Sequence, residues 1–329
     1  MRIVLMILSI MMGSVDLFCQ QSYSHKEVLK LMGTRFEITA IATNEDSARK
    51  AVEVGIEEIQ RIEFLISSWK PSSQTSLINK NAGNMPVKVD KELFELVERA
   101  IKISDLTQGA FDISFASMDK IFVFDKKEHA LPSKDIIDEA RKYINFENIL
   151  LNEEDTTVFL TQKGMKIGFG GIGKGYAANR AKFAMSSIGE VLGGVINASG
   201  DLMVWGPQDE LGWPIQITNP DNLEKTVGLL NIKEGSVVTS GDYEKYFTNN
   251  GKRYAHIVDP KTGLPTTGVK SVTIVSPDAE FGDALATSIF VLGIDFGINL
   301  INSIKNVEAL IITDENKLIT SKKLELKTF

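Results

Sequence analysis

Cysteine is nearly absent from this chain. Cys19 is the only one among 329 residues, so no intramolecular disulfide can brace the fold, and stability must come from an apolar core. Surplus positive charge is missing too. Lys and Arg number 36 against 43 Asp and Glu, a net charge of −7 with a pI near 5.2. That balance argues against nucleic acid or an anionic membrane as the main partner, so locally placed lysines must meet any anionic ligand. Histidine occurs three times, at His25, His129 and His256, which leaves few candidates for proton transfer near neutral pH. No internal repeat, low-complexity tract or Pro/Gly-rich linker divides the chain, so residues 20–329 read as one domain. An apolar content of 43% is ordinary for a globular protein and sufficient for a full core.

One apolar run stands apart. Residues 3–15 follow Arg2 and are broken only by Ser9, Gly13 and Ser14; the run has signal-peptide length and is too short to span a bilayer comfortably. Cys19 is small enough for the last position before cleavage, so residues 1–19 are expected to be a signal peptide and the mature chain to be exported to the periplasm. The alternative is a lipoprotein acylated at Cys19 and held peripherally at the inner membrane, although the bulky Phe18 makes a poor lipid-attachment motif.

Periodicity predicts an α+β fold, a single large mixed domain with antiparallel-rich sheets and flanking helices. Ala48, Val52, Ile56, Ile59, Ile62 and Ile66 keep helical spacing over 48–66, and Thr43 with Asp46 reads as the start signal. Further helices are expected from about 90 to a stop at Gly109, and over 133–143, 280–292 and 296–304. A strand pair is expected over 29–42, turning through Met32-Gly33-Thr34. Other strands are expected at 158–160, 191–198, 214–218, 226–232, 236–240, 254–258, 269–276 and 309–313.

The densest signal is Gly168-Phe169-Gly170-Gly171-Ile172-Gly173-Lys174-Gly175. Five glycines in eight positions let a ligand approach the backbone. The stretch lies between an apolar run, 165–169, and a helical one, 176–188, so it reads as a phosphate cradle at a helix N-terminus. It is not a P-loop, because Gly175 stands where the motif needs a Ser or Thr hydroxyl. Nor is it a good dinucleotide fingerprint: Glu190, at the right separation for the ribose-binding acid, precedes the next strand instead of ending it.

Two further constellations carry chemistry. Asp283 and Thr287 are four apart in a predicted helix and share a face, where a carboxylate and a hydroxyl can hold a hard cation. His256 lies between apolar neighbours and three residues before Asp259, in a segment closed by Pro260, Gly263 and Pro265. It is a candidate general base or phosphate contact, with Asp259 to orient it. Trp69 could stack on a planar ring. Asn197-Ala198-Ser199-Gly200-Asp201 offers small polar residues at a strand end.

Taken in order, these pieces resemble the FAD:protein FMN transferases, the ApbE family. The resemblance covers residues 30–295 and rests on Met32-Gly33-Thr34, Ser68-Trp69 with 76–79, Thr107-x-Gly109-Ala110-Phe111-Asp112, the block from Gly170 to Tyr176, Thr239-Ser240-Gly241-Asp242-Tyr243, His256-Ile257-Val258-Asp259-Pro260-x-Thr262-Gly263, and Asp283-Ala284-Leu285-Ala286-Thr287. It implies the T-fold-like ApbE architecture. It implies FAD contacts at Met32, Trp69, Ala110, Phe111, Asp112, Lys174 and Ile257, and Mg2+ ligands at Gly171, through its carbonyl, Asp283 and Thr287. The implied reaction moves FMN from FAD, the substrate, to a Thr or Ser hydroxyl of an acceptor protein, a redox-pump subunit, and releases AMP. Two rivals are an Mg2+-dependent FAD pyrophosphatase and a non-catalytic periplasmic FAD-binding protein. Two departures from the family pattern stand out: Gly168 and Asn179 occupy positions where many members carry an acid, which bears on the FAD contact.

Overall fold

The computed structural model describes residues 22–118, 121–206, 211–243 and 245–328. The expected signal peptide and Cys19 lie outside them.

Eight strands form the central sheet: β1 (Tyr23–Leu31), β2 (Thr34–Ala42), β3 (Val191–Ala198), β4 (Asp201–Trp205), β5 (Gly235–Gly241), β6 (Val269–Ser276), β7 (Glu308–Thr313) and β8 (Leu318–Thr320). Their order in the sheet is their order in the chain, and each pairs antiparallel with the next. The helices enter between strands: α1 (Glu45–Ile66), α2 (Gln74–Lys80), α3 (Lys91–Leu106), α4 (Lys134–Arg141) and α5 (Gly173–Ser186) between β2 and β3, then α6 (Ala279–Leu292) and α7 (Ile294–Ser303) between β6 and β7.

Both faces of the sheet are buried, which follows from the period-2 alternation of strand side chains. On β4, Met203 and Trp205 enter the large core shared with α1, α5 and α6, while Val204 enters a second core on the other face; Ala309 and Ile311 of β7 face the first, and Leu310 and Ile312 the second. That second core is closed by Trp213–Asn219 and Asn222–Ile232, which pair with Lys327–Thr328 in a three-stranded sheet.

Helix α1 shows why the pattern was readable. Ala48, Ala51, Val52, Gly55, Ile59, Ile62, Leu65 and Ile66 form its buried stripe, and each fully buried Ile contributes roughly 1.5–3 kcal/mol. Its cap is Asn44, one residue past the expected Thr43, because the Asn44 side chain accepts a 2.8 Å bond from the Ser47 N–H.

Other expectations need correction. Helix α2 forms in a Ser-rich stretch for which no helix is expected, capped by Ser73, whose hydroxyl accepts from Ser76 N. Asp201 does not end a strand but opens β4 after a two-residue turn. The expected strand 254–258 is Lys252–Ala255, because its partner strand Tyr246–Asn249 begins opposite Ala255; His256 therefore lies beyond the ladder. Residues 165–169 are irregular backbone, with Met165, Ile167 and Phe169 buried in the core.

Candidate active site

Sheet register brings several motif residues to one edge. Leu31 pairs with Thr34 across the turn Met32–Gly33, Ala198 with Asp201 across Ser199–Gly200, and Phe36 of β2 with Ala198 of β3. Both turns therefore close the same end of the sheet. Each has two consecutive positive φ angles, 49° and 77° in the first and 58° and 106° in the second, as tight hairpins with right-handed twist require. Met32 is an unfavourable residue for this conformation. It is held there by its N–H, which donates to Glu63 Oε2 at 2.9 Å. Its side chain reaches the start of α5, where a Cβ on Gly173 would lie 3.7 Å from Met32 Cε.

The Gly-rich stretch is anchored on both sides. Asn79 brackets Ile167, accepting from its N–H at 2.7 Å and donating to its carbonyl at 2.9 Å, and Gly168 N–H donates to Ile113 O. The expected cradle is only partly one. Gly173 N–H donates to Phe169 O at 2.7 Å, Tyr176 N–H to Ile172 O, and Gly175 N–H to Asp283 Oδ2 at 3.2 Å. A Cβ on Gly173 would press on Ile66 and one on Gly175 would land on the Ala279 carbonyl. These two glycines let α5 pack against its neighbours. Gly170 differs, because a Cβ there would meet nothing within 4 Å.

Gly171 meets Thr287, and Asp283 meets Gly175 four residues further along the same stretch. A Cβ on Gly171 would lie 3.0 Å from Thr287 Oγ1. Asp283 sits one turn earlier on α6, 3% exposed and bonded to Gly175 N–H. Among the described residues no three His, Cys, Asp or Glu side chains group as a metal cluster. A cation here would have one carboxylate and neutral oxygens and would draw its remaining ligands from water or phosphate, which suits Mg2+ better than zinc.

Beside this seam, Lys174 Nζ pairs with Asp201 Oδ2 at 2.5 Å. The same charge is felt at His256, whose pKa is pulled down to about 4 by burial and by Lys245 and Lys174. His256 Nδ1 lies 3.2 Å from Lys245 O. A carbonyl only accepts, so Nδ1 carries the proton and Nε2 keeps its lone pair. His256 is thus a neutral imidazole with an available acceptor, and Phe124 packs edge-on against its ring. Asp259 does not orient it. Its carboxylate accepts from Thr262 Oγ1 at 3.0 Å and from Lys261 N–H at 2.8 Å and serves its own turn. His129 pairs with Asp125 and His25 with Glu27.

The other expected FAD positions divide into one exposed and several buried. Trp69 is 76% exposed, extreme for so large an apolar side chain. Ala110, Phe111 and Ile257 are buried in the fold. Asp112 accepts from Ser114 N–H and Oγ with one oxygen and from Phe146 N–H with the other; burial raises its pKa while these bonds oppose the rise. Its carboxylate braces the loop, and the Ile257 carbonyl already accepts from Thr266 N–H and Oγ1.

Both departures have a structural setting. A Cβ on Gly168 would come within 3.0 Å of Ala116 Cβ. Asn179 donates to Asp278 Oδ1 at 2.8 Å and accepts from Ala279 N–H at 3.0 Å; a carboxylate could not donate and would face a second acid. Sequence reasoning passed over Glu63, and it noted Asp201 only as part of a polar strand end without its Lys174 partner, because both act through partners far away in the chain.

A helix start, a carboxylate–hydroxyl pair, a lysine and a neutral histidine at one edge of an antiparallel meander define the class: an α+β protein whose helix N-terminus carries side chains of the kind that meet a phosphate-bearing ligand. The model of the ApbE family matches residues 32–311. A FAD:protein FMN transferase of Klebsiella pneumoniae is 30% identical, covering 93% of each chain, and one of Treponema pallidum is 34% identical, covering 84% of this chain and 82% of its own. The crystal structure of an ApbE protein from Thermotoga maritima superposes with a TM-score of 0.83 at 32% identity, over 91% of this chain and 97% of the other. A flavin transferase ApbE from Vibrio cholerae shares the fold, with a TM-score of 0.80 at 21% identity. The chain belongs to the ApbE family.

Proposed function

We propose that this protein transfers FMN from FAD to a Thr or Ser hydroxyl of an acceptor protein and releases AMP, with Mg2+ bound by Asp283, Thr287 and the Gly171 carbonyl. The observation that carries the reading is the meeting of Gly171 with Thr287 and of Gly175 with Asp283 at the start of α5. The comparisons support the reaction through the activity named for the relatives. When bound, the cation would neutralise charge developing on the phosphate oxygens.

This chain's own residues supply the rest. Lys174 holds the pyrophosphate by charge, and Trp69 offers a flat apolar face for a ring of FAD. The acceptor hydroxyl attacks the FMN-side phosphorus, the bond to the AMP oxygen breaks, and the hydroxyl proton passes to His256 Nε2. A neutral imidazole is the form that can accept it. Export by the apolar run 3–15 would place the enzyme outside the inner membrane with a redox-pump subunit as acceptor.

The test is the intact mass of a purified flavin-accepting pump subunit after incubation with the protein, FAD and Mg2+, with and without chelator. The expected result is a gain of one phosphoester-linked FMN that chelation abolishes. AMP release with no labelled acceptor would transfer the reading to FAD hydrolysis.

A further inference from the structure

We propose that Asp201 is a positioning residue of this site: it fixes the Lys174 ammonium at the start of α5, so that the charge is already placed when a diphosphate ligand arrives. The inference rests on the phosphate-handling reading given above. Asp201 is 1% exposed and is the one acid of β4, whose other residues are Leu202, Met203, Val204 and Trp205. A carboxylate so deeply buried is costly, and an apolar residue of similar size would serve stability as well or better. It sits directly after the Ser199–Gly200 turn, at the sheet end that carries Met32–Gly33.

Its partner is the lysine of the Gly-rich stretch, at 2.5 Å, with the Lys174 side chain 24% exposed. A free lysine side chain is rich in rotamer entropy. Ordering it during folding removes that cost from ligand binding and from the transfer step. The ammonium is also near enough for its charge to act on His256, which comes from a different loop, though less than burial and Lys245 do.

A double-mutant cycle tests this. Wild type, Asp201→Asn, Lys174→Met and the double variant are compared for FAD binding in EDTA, for FMN transfer and for thermal midpoint, with Asp201→Glu as the conservative variant. We expect Asp201→Asn to weaken FAD binding and to lower transfer kcat/KM by about tenfold each, Asp201→Glu to recover part of both, and Asp201→Asn to change neither when Lys174 is already Met. The double variant should melt higher than Lys174→Met, which leaves the buried carboxylate unpaired. Equal losses from Asp201→Asn in both backgrounds would overturn the proposal, as would unchanged FAD binding in Asp201→Asn. Binding in EDTA needs neither metal nor acceptor. If wild type transfers no FMN yet binding shows the coupling, the positioning role stands and the transferase reading falls.

Discussion

Two charged regions flank α5, and they are built on opposite plans. On its outer face, Arg61 bonds to Glu58 and Glu92, Arg180 pairs with the same two acids, Tyr176 donates to Glu92, and Arg99 grips Glu280 with two bonds. A cavity of about 640 Å³ opens there, lined in part by Glu92, Arg99, Tyr176 and Arg180. At the N-terminal end of α5, the described residues place Lys174 with Asp201, the Asp283 carboxylate, and His256 held neutral. That cavity is lined by side chains already committed to one another. Its acids and bases neutralise one another, whereas the other region sets a carboxylate and a hydroxyl on one helix face near a neutral imidazole. The second cavity, about 420 Å³ beside Asp242, Arg253 and Lys270, repeats the outer pattern, with Arg253 bonded to Asp242.

The contrast breaks first at Asp283. Asp283→Asn should lower FMN transfer at least about a thousandfold, the kinetic equivalent of several kcal/mol of lost charge stabilisation, and added Mg2+ should not restore it; steady-state transfer assays over a Mg2+ series measure this. Transfer near wild-type rate would place the metal elsewhere. Next is His256, where the variant His256→Asn should cost about a hundredfold in kcat.

The same group sets a pH signature. In the fold His256 takes up a proton only near pH 4, while the unfolded chain does so near 6.5. The unfolded state thus binds more protons between these values, so this group's effect on stability is unfavourable at pH 4 and disappears as pH rises through 6.5. Thermal midpoints measured across that window should rise less steeply in His256→Asn than in wild type. The acid limb of kcat should fall toward pH 4, and a limb at 6.5 would mean that the imidazole is not held neutral.

Trp69→Ala should raise KM for FAD about tenfold and leave kcat within about threefold, since a stacked ring contributes to binding at about 0.5–1.5 kcal/mol beyond its buried area. The smallest effect belongs to the outer face. Glu92→Gln should destabilise the fold by about 1 kcal/mol, because its two arginine partners are well exposed, and should leave transfer within about twofold; denaturant titration and the transfer assay check both. A large activity loss there would erase the distinction between the two regions.

Much of this organisation was legible in the sequence where a local rule acts. The stripe of α1 follows helical spacing, strands β3 and β6 run over the expected bounds, and Asp283 and Thr287 share a helix face as their four-residue separation requires. Legibility failed where several neighbouring groups compete for one role or where packing decides. The Asn44 cap was missed by one residue because Ser47 selects it, and α2 was hidden in a Ser-rich stretch whose cap hydroxyl is itself a serine. Asp259 lies near His256 in sequence yet turns to Thr262 instead, since its own loop offers closer donors. The glycines looked like a ligand cradle, and two of them prove to be packing sites against Ile66 and Ala279.

By itself the sequence determined the family, the α+β class and the residue types that can carry phosphate chemistry, because these depend on composition, period and motif order. Only the tertiary structure decided which of those residues meet. Antiparallel register placed Met32 and Asp201 at one sheet end, helix packing set Asp283 and Thr287 against the Gly-rich stretch, and burial beside two lysines left His256 neutral. Each of these is an effect of distance and local dielectric between residues remote in the chain, and separation along a sequence does not encode either.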